Sequence, residues 1–153
     1  MSRAFVKEQE ETLEKLPDRL ISEHPNLVTR EGFGLIEAEV ARLTAEHNQA
    51  QAEEDRERMA ATARDLRYWS ARLQSAEVVT PPSDPGIVHF GSTVTVARDD
   101  GRRQTFRIVG EDEADPAKGT IPYVSPLARA LVSKGVGDVV RLGGGDVEVL
   151  KVS

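Results

Sequence analysis

The sequence predicts an α+β protein: an N-terminal antiparallel coiled-coil helical hairpin, followed by a small antiparallel sheet with one helix. Three observations lead to this prediction. Apolar residues between Phe33 and Ala76 recur at alternating steps of three and four, the spacing of a coiled coil. A linker with three prolines, at 80–87, ends that pattern. Beyond the linker, apolar and polar residues alternate, as they do along half-buried strands.

The first helix is expected to follow a charged leader. Residues 1–27 contain Pro17 and Pro25 and are predicted to be loosely ordered. Thr29 is the expected N-cap, because its hydroxyl can accept a free backbone N–H at a helix start. Glu31 suits the first turn, where the positive end of the helix dipole favours a negative charge. The hairpin segment is predicted to span 28–79.

Two apolar seams occupy the predicted hairpin. The first comprises Phe33, Ile36, Val40, Leu43, His47 and Ala50, and the second comprises Met59, Thr62, Leu66, Trp69, Leu73 and Ala76. They pair in antiparallel fashion if the chain reverses near 53–56, which sets Val40 opposite Trp69 and Phe33 opposite Ala76. One straight helix is the alternative, because neither Gly nor Pro marks the turn.

Residues 88–153 are predicted to form the sheet domain. Strands are expected around 88–90, 94–96, 105–109, 121–124, 139–142 and 147–152. Asp99-Asp-Gly is typical of a hairpin turn. Ser125 and Pro126 should begin a helix that runs to about Ser133, since serine caps a helix and proline suits its first turn.

Composition excludes several classes of protein. The 153 residues carry a formal net charge of −6, so tight sequence-independent binding to bare nucleic acid is not expected. The absence of cysteine excludes disulfides and thiolate metal sites, and the three histidines lack metal-ligand spacing. Neither an apolar signal core nor a membrane-spanning apolar run is present, so a cytoplasmic protein without a membrane partner is expected.

Three segments follow one another in the second half of the chain. They are Phe90-Gly-Ser-Thr-Val-Thr-Val, Val109-Gly-Glu-Asp-Glu-Ala-Asp, and Gly119-Thr-Ile-Pro-Tyr-Val-Ser-Pro-Leu-Ala-Arg-Ala-Leu followed by Gly137-Asp. This combination resembles the C-terminal domain of the bacterial GreA/GreB transcript-cleavage factors. Leu16-Pro-Asp-Arg is also similar to the N-terminal extension of some GreB-like proteins. The resemblance covers 28–153 in layout and about 88–152 in its motifs.

The resemblance implies a fold, a partner and a function. It implies an FKBP-like polymerase-binding domain at 88–153. The implied function is that of a transcription elongation factor, which binds bacterial RNA polymerase at the secondary channel and stimulates cleavage of backtracked RNA. Such a factor is not itself an enzyme, because it stimulates the polymerase's own nuclease activity. It needs no cofactor beyond the Mg²⁺ of the polymerase active site, meets the nascent RNA 3′ end indirectly, and is expected to be a monomer.

The centre of the predicted hairpin carries the carboxylates Glu53, Glu54 and Asp55, which we call the tip. Carboxylates can supply oxygen ligands to Mg²⁺ and can orient a water molecule. Acidic residues at this place in the family help to hold a second Mg²⁺, so the resemblance implies a catalytic role for the tip. The tip matches the family in position and charge but not in motif. A solvated charge run at a helix turn is therefore the alternative interpretation.

The predicted hairpin is short. About 22 residues per helix correspond to roughly 33 Å, whereas the hairpins of GreA/GreB factors are typically several turns longer. The regulator Rnk is similar to GreA in its C-terminal domain and has a shortened coiled coil. The alternative function is therefore that of a non-cleaving, Rnk-like regulator that binds RNA polymerase and competes for the secondary channel.

Ser125-Pro126 resembles the Ser-Pro of the family's polymerase-docking loop. The resemblance implies polymerase contacts from Val124, Ser125, Pro126 and Arg129, which we call the docking residues. A helix cap alone is the alternative interpretation of Ser125. A peptide-binding or isomerase module is a further alternative function, although an aromatic-lined pocket would need more aromatic residues than this domain has.

The second helix is richer in arginine than the first. Its arginines are Arg56, Arg58, Arg64, Arg67 and Arg72. In the family such side chains can lie near RNA or the channel wall. The favoured interpretation is that they form salt bridges across the hairpin with Glu37, Glu39 and Glu46.

Overall fold

A computed structural model describes residues 15–84 and 86–153 of the chain. The helices are α1 Arg30–Ala52, α2 Arg56–Ser75 and α3 Pro126–Leu131, and the strands are β1 Leu27–Val28, β2 Glu77–Val78, β3 Thr93–Arg98, β4 Arg103–Val109, β5 Thr120–Pro122, β6 Val139–Leu142 and β7 Gly145–Val152. The described chain divides into two compact units. Unit 1 contains 15–23 and 34–75, and unit 2 contains 24–33 and 76–153.

Helix α1 begins where the sequence predicts. The Thr29 hydroxyl oxygen accepts the Gly32 backbone N–H at 2.9 Å, and the same hydroxyl donates to Glu113 Oε1 at 2.5 Å. Gly32 is buried, and a Cβ at this position would clash with the Glu113 carboxylate. Glu31 lies in the first turn of α1, as expected. Its own backbone N–H and the nearby Arg107 guanidinium hold the pKa of Glu31 below its usual range. The predicted cap is confirmed.

Helices α1 and α2 form the predicted hairpin, so the alternative of one straight helix is wrong. His47 Nδ1 lies 2.7 Å from Thr62 Oγ1. His47 is the seam residue seven after Val40, and Thr62 is the seam residue seven before Trp69, so this contact has the predicted antiparallel register. Ile36, Leu43 and Ala50 of the first seam are buried, whereas the buried residues of α2 are Thr62 of the second seam and, outside it, Ala60 and Arg72.

Part of the predicted leader contacts α2. We call residues 16–19 the strap, because they contact α2 along one side. The Arg67 guanidinium donates to the Asp18 carboxylate and, at 3.0 Å, to the Leu16 carbonyl oxygen. The Arg19 guanidinium lies 4.0 Å from the centre of the Tyr68 ring, a cation–π contact. The strap has neither helix nor strand, and residues 1–14 lie outside the described part of the chain, so the loose order of the leader stays a prediction.

Glu39 and Glu46, two of the acids expected to pair across the hairpin, form ion pairs within α1. Arg42 donates to Glu39 at 2.6 Å and to Glu46 at 2.8 Å, at spacings of three and four along α1. Arg58 pairs with Glu53 at the tip, and Arg67 pairs with the strap. Residues three or four positions apart on a helix are neighbours without any contribution from a second helix. This explains why Glu39 and Glu46 pair with Arg42.

Unit 2 contains a five-stranded sheet in the order β5-β4-β3-β7-β6 within the described residues. Its strands pair in antiparallel fashion except β4 and β5, which run parallel. The α+β prediction is confirmed, and the sheet is mixed rather than wholly antiparallel. Strands β1 and β2 add a parallel pair that the sequence did not reveal.

The core of unit 2 lies between the sheet and α3. The buried members are Val88, Val94, Val96, Phe106, Ile108, Ala128, Leu131, Val140, Val147 and Val149. They come from alternate positions of the strands and from one face of α3, as half-buried elements require. No helix in the described part of the chain is long and apolar enough to cross a membrane.

Candidate functional site

The tip is a tight helix-to-helix turn. The Asp55 N–H donates to the Ala50 carbonyl oxygen at 2.9 Å, and the Glu54 N–H donates to the Gln51 carbonyl oxygen at 3.1 Å. These two bonds form a Schellman motif, which satisfies the last carbonyl groups of α1. Such a motif places one residue in the left-handed region, and here that residue is Glu54, with φ 55°.

Glu54 occupies a position that favours glycine. A residue with a Cβ pays roughly 1–2 kcal/mol in the left-handed region, because the Cβ approaches the following carbonyl oxygen. The turn thus keeps an exposed glutamate where a glycine would fit without strain. Backbone strain of this kind is often found at functional positions.

The other two tip carboxylates are committed to contacts within the chain. Glu53 Oε1 accepts from Gln49 Nε2 at 3.2 Å, and Glu53 Oε2 accepts from Arg58 Nη1 at 2.6 Å. Asp55 Oδ1 accepts the Arg58 backbone N–H at 3.2 Å and so caps α2. Among the described residues, none donates a hydrogen bond to the Glu54 carboxylate. Glu54 is therefore the tip group that can take an external ligand.

The tip alone does not form a metal site. In residues 15–84 and 86–153, no group of three or more His, Cys, Asp or Glu side chains is arranged to hold a metal ion. One free carboxylate can supply oxygen to an Mg²⁺ that other ligands hold, since Mg²⁺ in proteins often has only one or two carboxylate ligands and several waters. The Glu54 carboxylate therefore fits one ligand position of an Mg²⁺ ion that is otherwise held by ligands outside this chain.

The docking residues surround the start of α3. Ser125 Oγ accepts the Ala128 N–H at 3.2 Å, and the Ser125 carbonyl oxygen accepts the Arg129 N–H at 2.9 Å. Ala128 is fully buried, so the helix is fixed to the core of unit 2. Pro126 and Arg129 are exposed, whereas Val124 and Ser125 are half-buried. The structure thus presents Pro126 and Arg129 on a rigid, capped helix.

Exposed valines follow α3 in the sequence. Val132, Val136 and Val139 are 38%, 58% and 57% exposed. Exposed apolar side chains often mark interaction surfaces when they are grouped. Val139 precedes the buried Val140 on β6, and neighbouring residues of a strand point to opposite faces of the sheet. We did not predict these residues from the sequence.

Comparison with known proteins identifies the family. A family profile described as transcription elongation factor, GreA/GreB, C-term matches residues 82–153. Transcription elongation factor GreB of Yersinia pestis is 35% identical over 136 residues, which cover 76% of this chain and 80% of that protein. The chain belongs to the GreA/GreB family.

Other GreA/GreB proteins match over shorter stretches. Transcription elongation factor GreB of Neisseria meningitidis serogroup B is 44% identical over 101 residues, which are 62% of each chain. The match thus spans less than two thirds of the Neisseria protein. A solved GreA/GreB structure from Nitrosomonas europaea is 22% identical, covers 83% of this chain and 98% of that one, and superposes with a TM-score of 0.42.

The GreA/GreB family membership confirms the resemblance inferred from the sequence motifs. The particular roles of the tip and of the docking residues stay predictions. The structure brings Glu53, Glu54 and Asp55 together at one turn, as the sequence suggested, and Ser125 and Pro126 at one helix start. What the sequence analysis missed is the role of Arg58 at the tip, where it contacts Glu53 and Asp55 but not Glu54.

Proposed function

We propose that this GreA/GreB-family chain is a cytoplasmic elongation factor that binds bacterial RNA polymerase at its secondary channel and stimulates cleavage of backtracked RNA. The observation that carries the proposal is Glu54, an exposed carboxylate without a described partner, held in the left-handed region at the turn between two helices. The curated relatives named transcription elongation factor GreB support the transcriptional setting.

The two units would divide the work. Unit 2 binds the polymerase through Pro126 and Arg129, which stand exposed on a capped helix. The hairpin presents Glu54 to the reacting phosphodiester. Hydrolysis of that bond needs an oriented water and compensation of negative charge, and Mg²⁺ supplies the latter in the polymerase active site. Glu54 contributes one carboxylate oxygen that orients the water and accepts a hydrogen bond from it. The chain has no active site of its own in this proposal.

A non-cleaving regulator of the Rnk type is the second candidate. Two observations favour it. Helices α1 and α2 have 23 and 20 residues, which correspond to lengths of about 35 and 30 Å. Two of the three tip carboxylates are also committed within the chain. Such a protein would bind the same channel and exclude other factors without stimulating cleavage.

Transcript cleavage by a stalled, backtracked elongation complex tests the proposal. Wild type should accelerate the release of short 3′ RNA fragments, and Glu54→Gln should not. Glu57→Gln is a matched control, because Glu57 is an exposed glutamate in the first turn of α2 and loses the same charge. Binding is measured separately by titration of labelled polymerase.

The outcomes separate the two candidates. Acceleration by wild type and by Glu57→Gln, but not by Glu54→Gln, supports a cleavage factor. Binding without acceleration by wild type contradicts it. In that case the regulator is supported if wild type and Glu54→Gln inhibit an authentic cleavage factor to the same extent.

A further inference from the structure

We infer that Arg58 is a positioning residue that decides which tip carboxylate takes part in cleavage. The inference rests on the proposed function and goes one step further, because it names the group that selects the reacting side chain. Arg58 lies in the first turn of α2 and contacts both neighbours of Glu54. It acts through them, and it makes no described contact with Glu54 itself.

The first step is the immobilisation of Glu53. Its carboxylate is engaged on both oxygens, by Gln49 Nε2 at 3.2 Å from α1 and by Arg58 Nη1 at 2.6 Å from α2. A charge-assisted bond of this length is short for an N–H donor and a carboxylate. Turning the Glu53 carboxylate toward a new ligand would break these two hydrogen bonds.

The second step is the engagement of Asp55. The Arg58 backbone N–H donates to Asp55 Oδ1 at 3.2 Å, while Arg58 Nη1 lies 4.0 Å from Asp55 Oδ2. One residue therefore holds Asp55 through its backbone and faces it with its side-chain charge. Asp55 also caps α2, so turning its carboxylate outward would expose a free N–H at the helix start.

The result is a selection among three neighbouring acids. Arg58 pairs with Glu53 and faces Asp55, whereas the exposed Glu54 carboxylate has no described contact with Arg58. Exposed ion pairs contribute little to stability, so stability alone does not account for the arrangement. Its consequence is chemical: with Arg58 present, Glu54 is the carboxylate that is free to act.

Double variants in the backtracked-complex assay test this selection. In the wild-type background, Glu54→Gln should lower the cleavage rate by about tenfold or more, and Glu53→Gln should change it little. With Arg58→Ala, Glu53 is released and can substitute, so Glu54→Gln should cost much less and Glu53→Gln should become costly. Arg58→Lys should restore the dependence on Glu54. Arg64→Ala is the matched control, because Arg64 pairs with Asp65 away from the tip.

An NMR measurement on the free protein gives a readout that does not depend on activity. The Arg58 guanidinium N–H resonances should show slow rotation in wild type and fast rotation in Glu53→Gln. Equal rotation in the two proteins would overturn the inference, as would an unchanged ranking of Glu53 and Glu54 in the Arg58→Ala background. If wild type fails to stimulate cleavage, the proposed function fails, and the NMR comparison still decides whether Arg58 holds Glu53.

Discussion

Replacing Glu54 with glycine should make the protein more stable and less active. The left-handed φ of 55° at Glu54 costs roughly 1–2 kcal/mol for a residue with a Cβ. Glycine removes this cost, but it loses about 0.5–1 kcal/mol through the larger entropy of the unfolded chain. The free energy of unfolding should therefore rise by about 0.5–1 kcal/mol. For a chain of this size that corresponds to an increase in melting temperature of about 1–4 °C.

Chemical denaturation of wild type, Glu54→Gly and Glu54→Ala measures this difference. Alanine removes the carboxylate but keeps the Cβ, so it should give no comparable gain in stability. Both variants should lose stimulation of transcript cleavage, because neither retains the free carboxylate. If Glu54→Gly is no more stable than Glu54→Ala, the left-handed strain at the tip is not present and the reasoning is refuted. If either variant cleaves as wild type does, Glu54 is not the acting group.

Four further substitutions test other parts of the structure. Pro126→Ala should weaken binding to core RNA polymerase in a titration, and an unchanged affinity would remove Pro126 from the docking residues. Gly110→Ala should destabilise the protein by about 2 kcal/mol or more, because its Cβ would lie 2.3 Å from the Leu27 carbonyl oxygen. In the same unfolding measurement Gly34→Ala should stabilise by about 1 kcal/mol, since no atom lies within 4 Å of the new Cβ; a reversed order would contradict both. Arg19→Ala should destabilise by about 0.5–1 kcal/mol through the lost contact with Tyr68, and unchanged denaturation would mean that this contact is not maintained in solution.

Local features of the fold could be predicted from the sequence. The caps at Thr29 and Ser125 were correct because a cap depends on bonds to residues only three positions away. The register of the hairpin was correct because the seams repeat at coiled-coil spacing on both helices, as the His47–Thr62 contact confirms. The turn position followed from the break between the seams.

Features that depend on distant residues could not be predicted. The parallel pairing of β1 with β2 joins residues 27–28 to 77–78, and nothing in either short segment marks the other. The hydrogen bonds of Glu53 were also not predicted: Gln49 and Arg58 are near it in the sequence, but their approach to one carboxylate depends on how the turn orients the two helices. Charge counting at the tip finds three equivalent acids, and only their hydrogen bonds distinguish them.

The strap makes the hairpin unit discontinuous along the chain. Residues 16–19 belong to unit 1, the next segment, 24–33, belongs to unit 2, and the chain then returns to unit 1. During synthesis the strap leaves the ribosome before α2, so it cannot make its contacts until Arg67 and Tyr68 have followed. Completion of the hairpin unit therefore waits for α2, although the strap precedes both helices in the chain. An exchange of α1 and α2 between proteins as one continuous segment would likewise separate α2 from the strap that contacts it.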